Sequence, residues 1–181
     1  TNAILYDDSY TSKIPITLDG AAGTKNLEIK ISDLSGNSVT KATSLILDQA
    51  DPTISNASAV LPAGAWAAVG TKLRFTFDVA DNGGAGIDGL PSVFVTLGGK
   101  AAAGSVSVVA DSAPSYSAEY TIAAGDSEGA ISYTITTKDY AGNAASQTGV
   151  PSGKTLDKTL PTVSGVSIAP TYTTSSTVAV T

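Results

Sequence analysis

Lys72-Leu73-Arg74-Phe75-Thr76-Phe77-Asp78-Val79 alternates charged or hydroxyl side chains with large apolar ones. Successive side chains of an extended chain point to opposite faces, so this stretch reads as a strand with one buried side. A helix would need its apolar positions three and four apart. Val93, Val95 and Leu97 repeat the alternation, and further strands are expected over residues 105–109, 116–122 and 131–137. Turn signals separate them: Asp81-Asn82-Gly83-Gly84, Gly98-Gly99, Asp111-Ser112-Ala113-Pro114, Gly125-Asp126 and Ala141-Gly142-Asn143. No window reads as a helix.

The same unit recurs along the chain. Ser9-Tyr10-Thr11-Ser12-Lys13-Ile14-Pro15-Ile16 aligns with Ser115-Tyr116-Ser117-Ala118-Glu119-Tyr120-Thr121-Ile122, an offset of 115 − 9 = 106. At that spacing Gly23 meets Gly129, Leu27 meets Tyr133, Ile29 meets Ile135, Asp33 meets Asp139, Gly36 meets Gly142 and Asn37 meets Asn143. Asp48 and Pro52 then match Asp157 and Pro161 at 157 − 48 = 109, a shift of three that Gly149-Val150-Pro151-Ser152-Gly153 can absorb. Repeats of this length imply consecutive copies of one folding unit. The expected division is 1–50 as the C-terminal half of a module, 51–160 as a complete one, and 161–181 as the first strands of the next.

With an opening strand after Pro52 and a closing one after Ala144, the complete unit holds about seven strands in ~100 residues, the total of an immunoglobulin-like β-sandwich. Three segments carry a family resemblance. Residues 120–131, the run Lys138-Asp139-Tyr140-Ala141-Gly142-Asn143, and the junction Leu156-Asp157-Lys158-Thr159-Leu160-Pro161-Thr162-Val163 resemble the bacterial immunoglobulin-like repeats of large cell-surface proteins. The resemblance spans the central unit and both partial ones. It implies that an Asp-x-x-x-Pro-Thr junction closes one module and opens the next, and that the chain is exported to the bacterial cell surface. It specifies no activity, because such modules serve as spacers, adhesion domains and surface-layer building blocks. The chain lacks the cysteines and core tryptophan of antibody domains.

Composition narrows the function. Hydrophobic residues are 42% of the 181, enough for a packed core, while charged residues are only 14%. The net charge of −6, without a basic cluster, repels nucleic-acid backbones. The most apolar stretch, residues 57–73, is broken by Pro62, Gly64, Gly70 and Lys72, so no membrane span is expected. The chain opens on Thr1, Asn2 and Ala3 with no basic start or apolar run, so an export signal is expected elsewhere. Without cysteine there is no disulfide frame, and without histidine or cysteine the hydrolase triad, the thiol dyad and ordinary zinc sites are excluded. Paired carboxylates remain, but they sit mainly in repeated turns, where they cap backbone groups. A non-enzymatic role is expected.

The sharper candidate is calcium. If the seven strands alternate in direction, the loops after the second and sixth lie at the end where the first begins. Asp48 and Asp51 of the junction, Asp78, Asp81, Asn82 and Asp88 around the first loop, and Asp139 and Asn143 of the second would then converge. Calcium takes roughly six to eight oxygens, which this set can supply, and would stiffen the hinge between modules. The plainer reading of the same residues is that Asp and Asn beside Gly form tight turns. Trp66, in Pro62-Ala63-Gly64-Ala65-Trp66, is expected to plug one end of the sandwich or pack against the junction, with an exposed surface that binds a sugar or partner as the alternative. Tyr6, Tyr10, Tyr116, Tyr120, Tyr133 and Tyr140 suit strands and strand ends. Asn56-Ala57-Ser58 fits a glycosylation acceptor, a triplet that also arises by chance.

The expected function is a structural surface repeat, an adhesin stalk or surface-layer unit whose partners are neighbouring modules of its own polypeptide. One alternative is an adhesion module for a glycan or host protein. Another is a filament or lattice subunit that pairs with copies of itself by strand addition.

Overall fold

The computed structural model describes residues 16–18, 20–60 and 62–165. The first seven positions of the 9–16 repeat match, Tyr6, Tyr10 and residues 166–181 lie outside the described residues.

The described chain is all-β. Its strands are β1 (Gly23–Ser32), β2 (Ser38–Leu47), β3 (Thr53–Val60), β4 (Trp66–Ala67), β5 (Lys72–Ala80), β6 (Ser92–Leu97), β7 (Lys100–Ala101), β8 (Ser107–Ser112), β9 (Ser115–Thr121), β10 (Gly129–Lys138) and β11 (Ala144–Leu156). β1 and β2 form a two-stranded hairpin; the others form a five-stranded sheet in the order β4-β11-β10-β6-β7 and a four-stranded sheet in the order β3-β5-β9-β8. All ladders are antiparallel except the short β11–β4 pairing, which is parallel.

The alternation at Lys72–Val79 becomes the inner face of the four-stranded sheet. Leu73, Phe75, Phe77 and Val79 of β5 are buried, as are Ala118 and Tyr120 of β9. They share one core with Val93, Val95 and Leu97 of β6, Ile131, Tyr133 and Ile135 of β10, and Leu156 of β11. The two sheets therefore pack face to face, the only way each can hide its apolar side. Phe75 and Tyr133 meet across the layer with ring centroids 4.3 Å apart, and Phe77 stacks on Tyr116 at 5.9 Å. The Tyr133 hydroxyl meets no partner among the described residues, and burial pushes its pKa up.

The offset of 106 is visible in the backbone. β10 begins and ends 106 positions after β1, and β11 begins 106 positions after β2. Both hairpins turn on the same motif. In the first, Asp33 Oδ1 accepts the Asn37 amide at 2.8 Å and Asp33 Oδ2 accepts Asn37 Nδ2 at 2.8 Å. In the second, Asp139 Oδ1 and Oδ2 accept the same two groups of Asn143 at 2.9 and 2.8 Å. Gly36 and Gly142 follow with φ of 89° and 95°.

β2 pairs with β1 in one unbroken register, whereas the β10–β11 ladder slips twice. One slip lies between Gln147 and Val150 and the other between Pro151 and Thr155, where β11 carries extra residues opposite β10. Gly149 and Gly153, with φ of 64° and 75°, supply the backbone conformation these bulges require. The three residues by which 109 exceeds 106 are thus held inside a strand, not in a loop.

Candidate functional site

Three loops meet where the chain enters the sandwich. Asp48 lies just after β2, Asp81 just after β5 and Asp139 just after β10. The start of β3 is fixed beside the end of β5 by the Thr53–Ala80 pair. The 81–88 loop folds over the end of β10: the Asp88 amide donates to the Lys138 carbonyl at 2.9 Å and the Tyr140 amide to the Gly86 carbonyl at 3.0 Å. This places one carboxylate oxygen from each of Asp48, Asp81 and Asp139 within 4.8 Å of the others. Asp139 is 1% exposed and Asp48 7%.

Each carboxylate is oriented by amides. Asp48 accepts Ala50 N at 2.9 Å on Oδ1 and Ala85 N at 3.0 Å on Oδ2. Asp81 Oδ2 accepts Gly84 N at 2.7 Å and Gly86 N at 2.9 Å. The Gly86 amide is the main cause that holds the Asp81 carboxyl below its ordinary value; burial opposes it and the Gly83, Gly84 and Asn82 amides assist. Asn143 ties two members together, because its Nδ2 donates to Asp139 Oδ2 and to the Asp48 carbonyl at 3.3 Å. Gly83 packs so tightly on Asp48 that a Cβ there would lie 1.7 Å from Oδ1.

This donor set fits a hard divalent cation. Two oxygens on opposite sides of a calcium ion at about 2.4 Å each stand about 4.8 Å apart. Each carboxylate has roughly four lone-pair sites, so the amide bonds leave acceptor capacity for an ion. Three carboxylates gathered with two of them buried repel one another, a cost a cation would relieve.

The other sequence-derived candidates divide. Asn82 reaches the junction, donating from Nδ2 to the Asp51 carbonyl at 2.9 Å, but both residues are exposed and their contact is a backbone tie. Asp78 and Asp88 do not join the three. Asp78 stands on β5, where its carboxylate accepts Asn56 Nδ2 and Ser115 Oγ, each at 2.7 Å, and these bonds lower its pKa. Asp88 forms an ion pair with Lys138 at 2.7 Å. The expectation of Trp66 as a plug is corrected: the two-residue strand β4 turns Ala67 into the core and leaves Trp66 66% exposed. Its backbone pairs with Thr155 at the sheet edge.

Two polar centres escaped the sequence reading. Asp126, read only as a turn residue, is buried at the opposite end. It accepts the Tyr120 hydroxyl at 2.6 Å, the Ala123 amide at 2.7 Å and the Ala103 amide at 2.8 Å. Burial disfavours its charge, but these three donors and nearby Lys158 outweigh that and hold its pKa below the usual carboxylate value. Lys154 on β11 is also buried and caps the Ala63 and Gly64 carbonyls, pinning the loop before β4. Asp157 Oδ1 accepts the Thr159 amide at 2.8 Å, as Asp48 Oδ1 accepts that of Ala50.

Compared with protein-family models and with curated proteins, the sequence matches none of them.

Proposed function

We propose that the chain is a non-catalytic, immunoglobulin-like structural repeat of a bacterial cell-surface protein, an adhesin stalk or surface-layer unit whose junctions are stiffened by calcium. The observation that carries the fold part is the strand order. In order of sequence the seven long strands of 53–156 can be lettered A, B, C, D, E, F and G, and they form A-B-E-D against G-F-C, the immunoglobulin constant-type arrangement. The two-residue β4 and β7 add short edges beside G and C. The tandem part is supported by the matched hairpins and turns 106 positions apart. The surface location rests on the resemblance of residues 120–131, 138–143 and 156–163 to bacterial surface repeats.

Modules joined by a short Asp-Pro linker make a rod of limited bend, since proline fixes its own φ and restricts the residue before it. Asp48, Asp81 and Asp139 would hold the ion across that linker and two loops of the following module. Small-angle scattering on the 181-residue chain is expected to give an elongated particle, stiffer with calcium; a compact particle would contradict the stalk. In calorimetry, calcium at about 100-fold over its dissociation constant adds about 2.7 kcal/mol of stability. Asp48→Ala or Asp139→Ala should abolish the gain, and a melting curve indifferent to both calcium and chelator would remove the ion from the account.

The exposure of Trp66 favours a second reading, an adhesion module for a glycan or host protein. Glycan-array binding lost on Trp66→Ala would support it, and a blank array with folded protein would dismiss it.

A further inference from the structure

β11 ends at Leu156, yet the chain stays on the sandwich for three more residues. The Thr155 amide donates to the Ala65 carbonyl at 2.9 Å, and the Asp157 amide continues that line onto the Ala67 carbonyl at 3.0 Å. The Lys158 amide donates to Glu128 Oε1, and the Thr159 hydroxyl donates to the same oxygen at 3.2 Å. The Lys158 ammonium reaches back to the carbonyls of Asp126 at 2.7 Å and Ala124 at 3.3 Å. Beyond these ties Leu160 is 81% exposed.

The turn that receives the ties is itself held from inside. The buried Asp126 carboxylate accepts the Tyr120 hydroxyl and the Ala103 and Ala123 amides, and Tyr120 belongs to the core. Lys158 therefore bonds carbonyls that cannot drift, and its charge favours the ionised form of Asp126. Bonds to a charged group are the stronger kind, and here only one partner loses freedom in making them.

These residues are not shared by the matched positions earlier in the chain. At the offset of 106 Asp126 and Glu128 correspond to Gly20 and Ala22, and at 109 Lys158 and Thr159 correspond to Gln49 and Ala50, which carry neither carboxylate nor ammonium. The segment after β2 is instead held from the loops that follow it, by the Ala85 amide and the side chains of Asn82 and Asn143. We propose that Asp157-Lys158-Thr159 is an exit strap: Glu128 and Lys158 fasten the chain leaving β11 to the 124–128 turn, so that the sandwich sets the direction of departure and the first free rotations come at Leu160. The strap uses only residues of this sandwich, and it needs neither a cation nor the tandem reading.

Amide order parameters from nitrogen-15 relaxation, measured on the 181-residue chain in the presence of chelator, test the strap. Asp157, Lys158 and Thr159 should match the β10 amides at about 0.85, with lower values from Thr162 onward. Glu128→Ala combined with Lys158→Met should bring Lys158→Met and Thr159 below about 0.6 while the β10 amides keep theirs. Should that double variant unfold, Lys158→Met alone serves, since it deletes the two carbonyl bonds and touches nothing in the core. The absence of cysteine allows a second readout, nitroxides on Ser92→Cys and Val163→Cys. Their distance distribution should be narrow in the parent and broaden in the folded variant. Residues 157–159 as mobile as Val163 in the parent would show that no strap exists. Equal order at 158 and 159 in the parent and the folded variant would show that these side chains do not make it. Either result overturns the proposal and leaves the tandem and calcium readings where they stood.

Discussion

Tyr120 and Tyr133 occupy equivalent buried positions on facing sheets and differ in one bond. Tyr120 donates its hydroxyl to Asp126, while the Tyr133 hydroxyl has no partner among the described residues. Removing a hydroxyl is costly only where it leaves a charged acceptor unsatisfied. Tyr120→Phe is therefore expected to cost about 1–3 kcal/mol in urea unfolding, and Tyr133→Phe to be neutral or stabilising by up to about 1 kcal/mol. Gly83→Ala should destabilise by about 1–3 kcal/mol, since its Cβ would displace the Asp48 carboxylate that orders the junction. Asp33, Asp78, Asp81 and Asp126 all have depressed carboxyl pKa values in the folded state. Such groups stabilise fully above the unfolded value near 4 and lose that contribution as pH falls through their lower folded values. With no histidine in the chain, urea midpoints should be flat from about pH 5 to 8 and fall below about pH 4. The buried apolar residues were legible because period two marks them directly. Asp126 was not, since nothing in its neighbours reveals that Ala103, 23 positions earlier, would donate to it.

At the scale of elements, the two hairpins are alike in turn chemistry and unlike in surroundings. The Asp33–Asn37 turn is exposed and bonds within itself, whereas Asn143 also reaches the Asp48 carbonyl and Asp139 is buried among the junction loops. Asp33→Ala should leave the melting of the sandwich within about 0.5 kcal/mol of the parent, and Asp139→Ala should lower it by about 2 kcal/mol or more; differential scanning calorimetry reads both. The seven long strands could be placed from alternation and Gly, Asn, Asp and Pro punctuation, except that β8 runs over Ser107–Ser112 instead of 105–109 and takes in Asp111 and Ser112 of the expected turn. β4 and β7 could not, because two residues hold no period. The convergence of Asp48, Asp81 and Asp139 followed from alternating strand direction, but direction alone says nothing of where a side chain points. Asp78 therefore entered the candidate set although Asn56 and Ser115 claim its carboxylate, and Asp88 entered although Lys138 does. Trp66 was misplaced for a related reason: on a two-residue edge strand one residue faces in, and here it is Ala67.

For the molecule as a whole, one two-layer block spans β3 to β11, with the first hairpin as a separate sheet joined to it by residues 48–52. The repeat was legible in the sequence because turn residues at fixed offsets leave little freedom in how a hairpin closes. The shift from 106 to 109 was legible as well, and its location in bulges of β11 needed the ladder. On the proposed reading this block folds by itself and ends at residues 48–52 and 157–161. Native-state hydrogen exchange resolved to single amides tests it most directly. Amides of β3, β5, β6, β9, β10 and β11 should share one opening free energy and respond together to Leu73→Ala, with β1 and β2 exchanging independently of that substitution. A single opening free energy shared by β1 and β10 alike, falling in both on Leu73→Ala, would contradict the account.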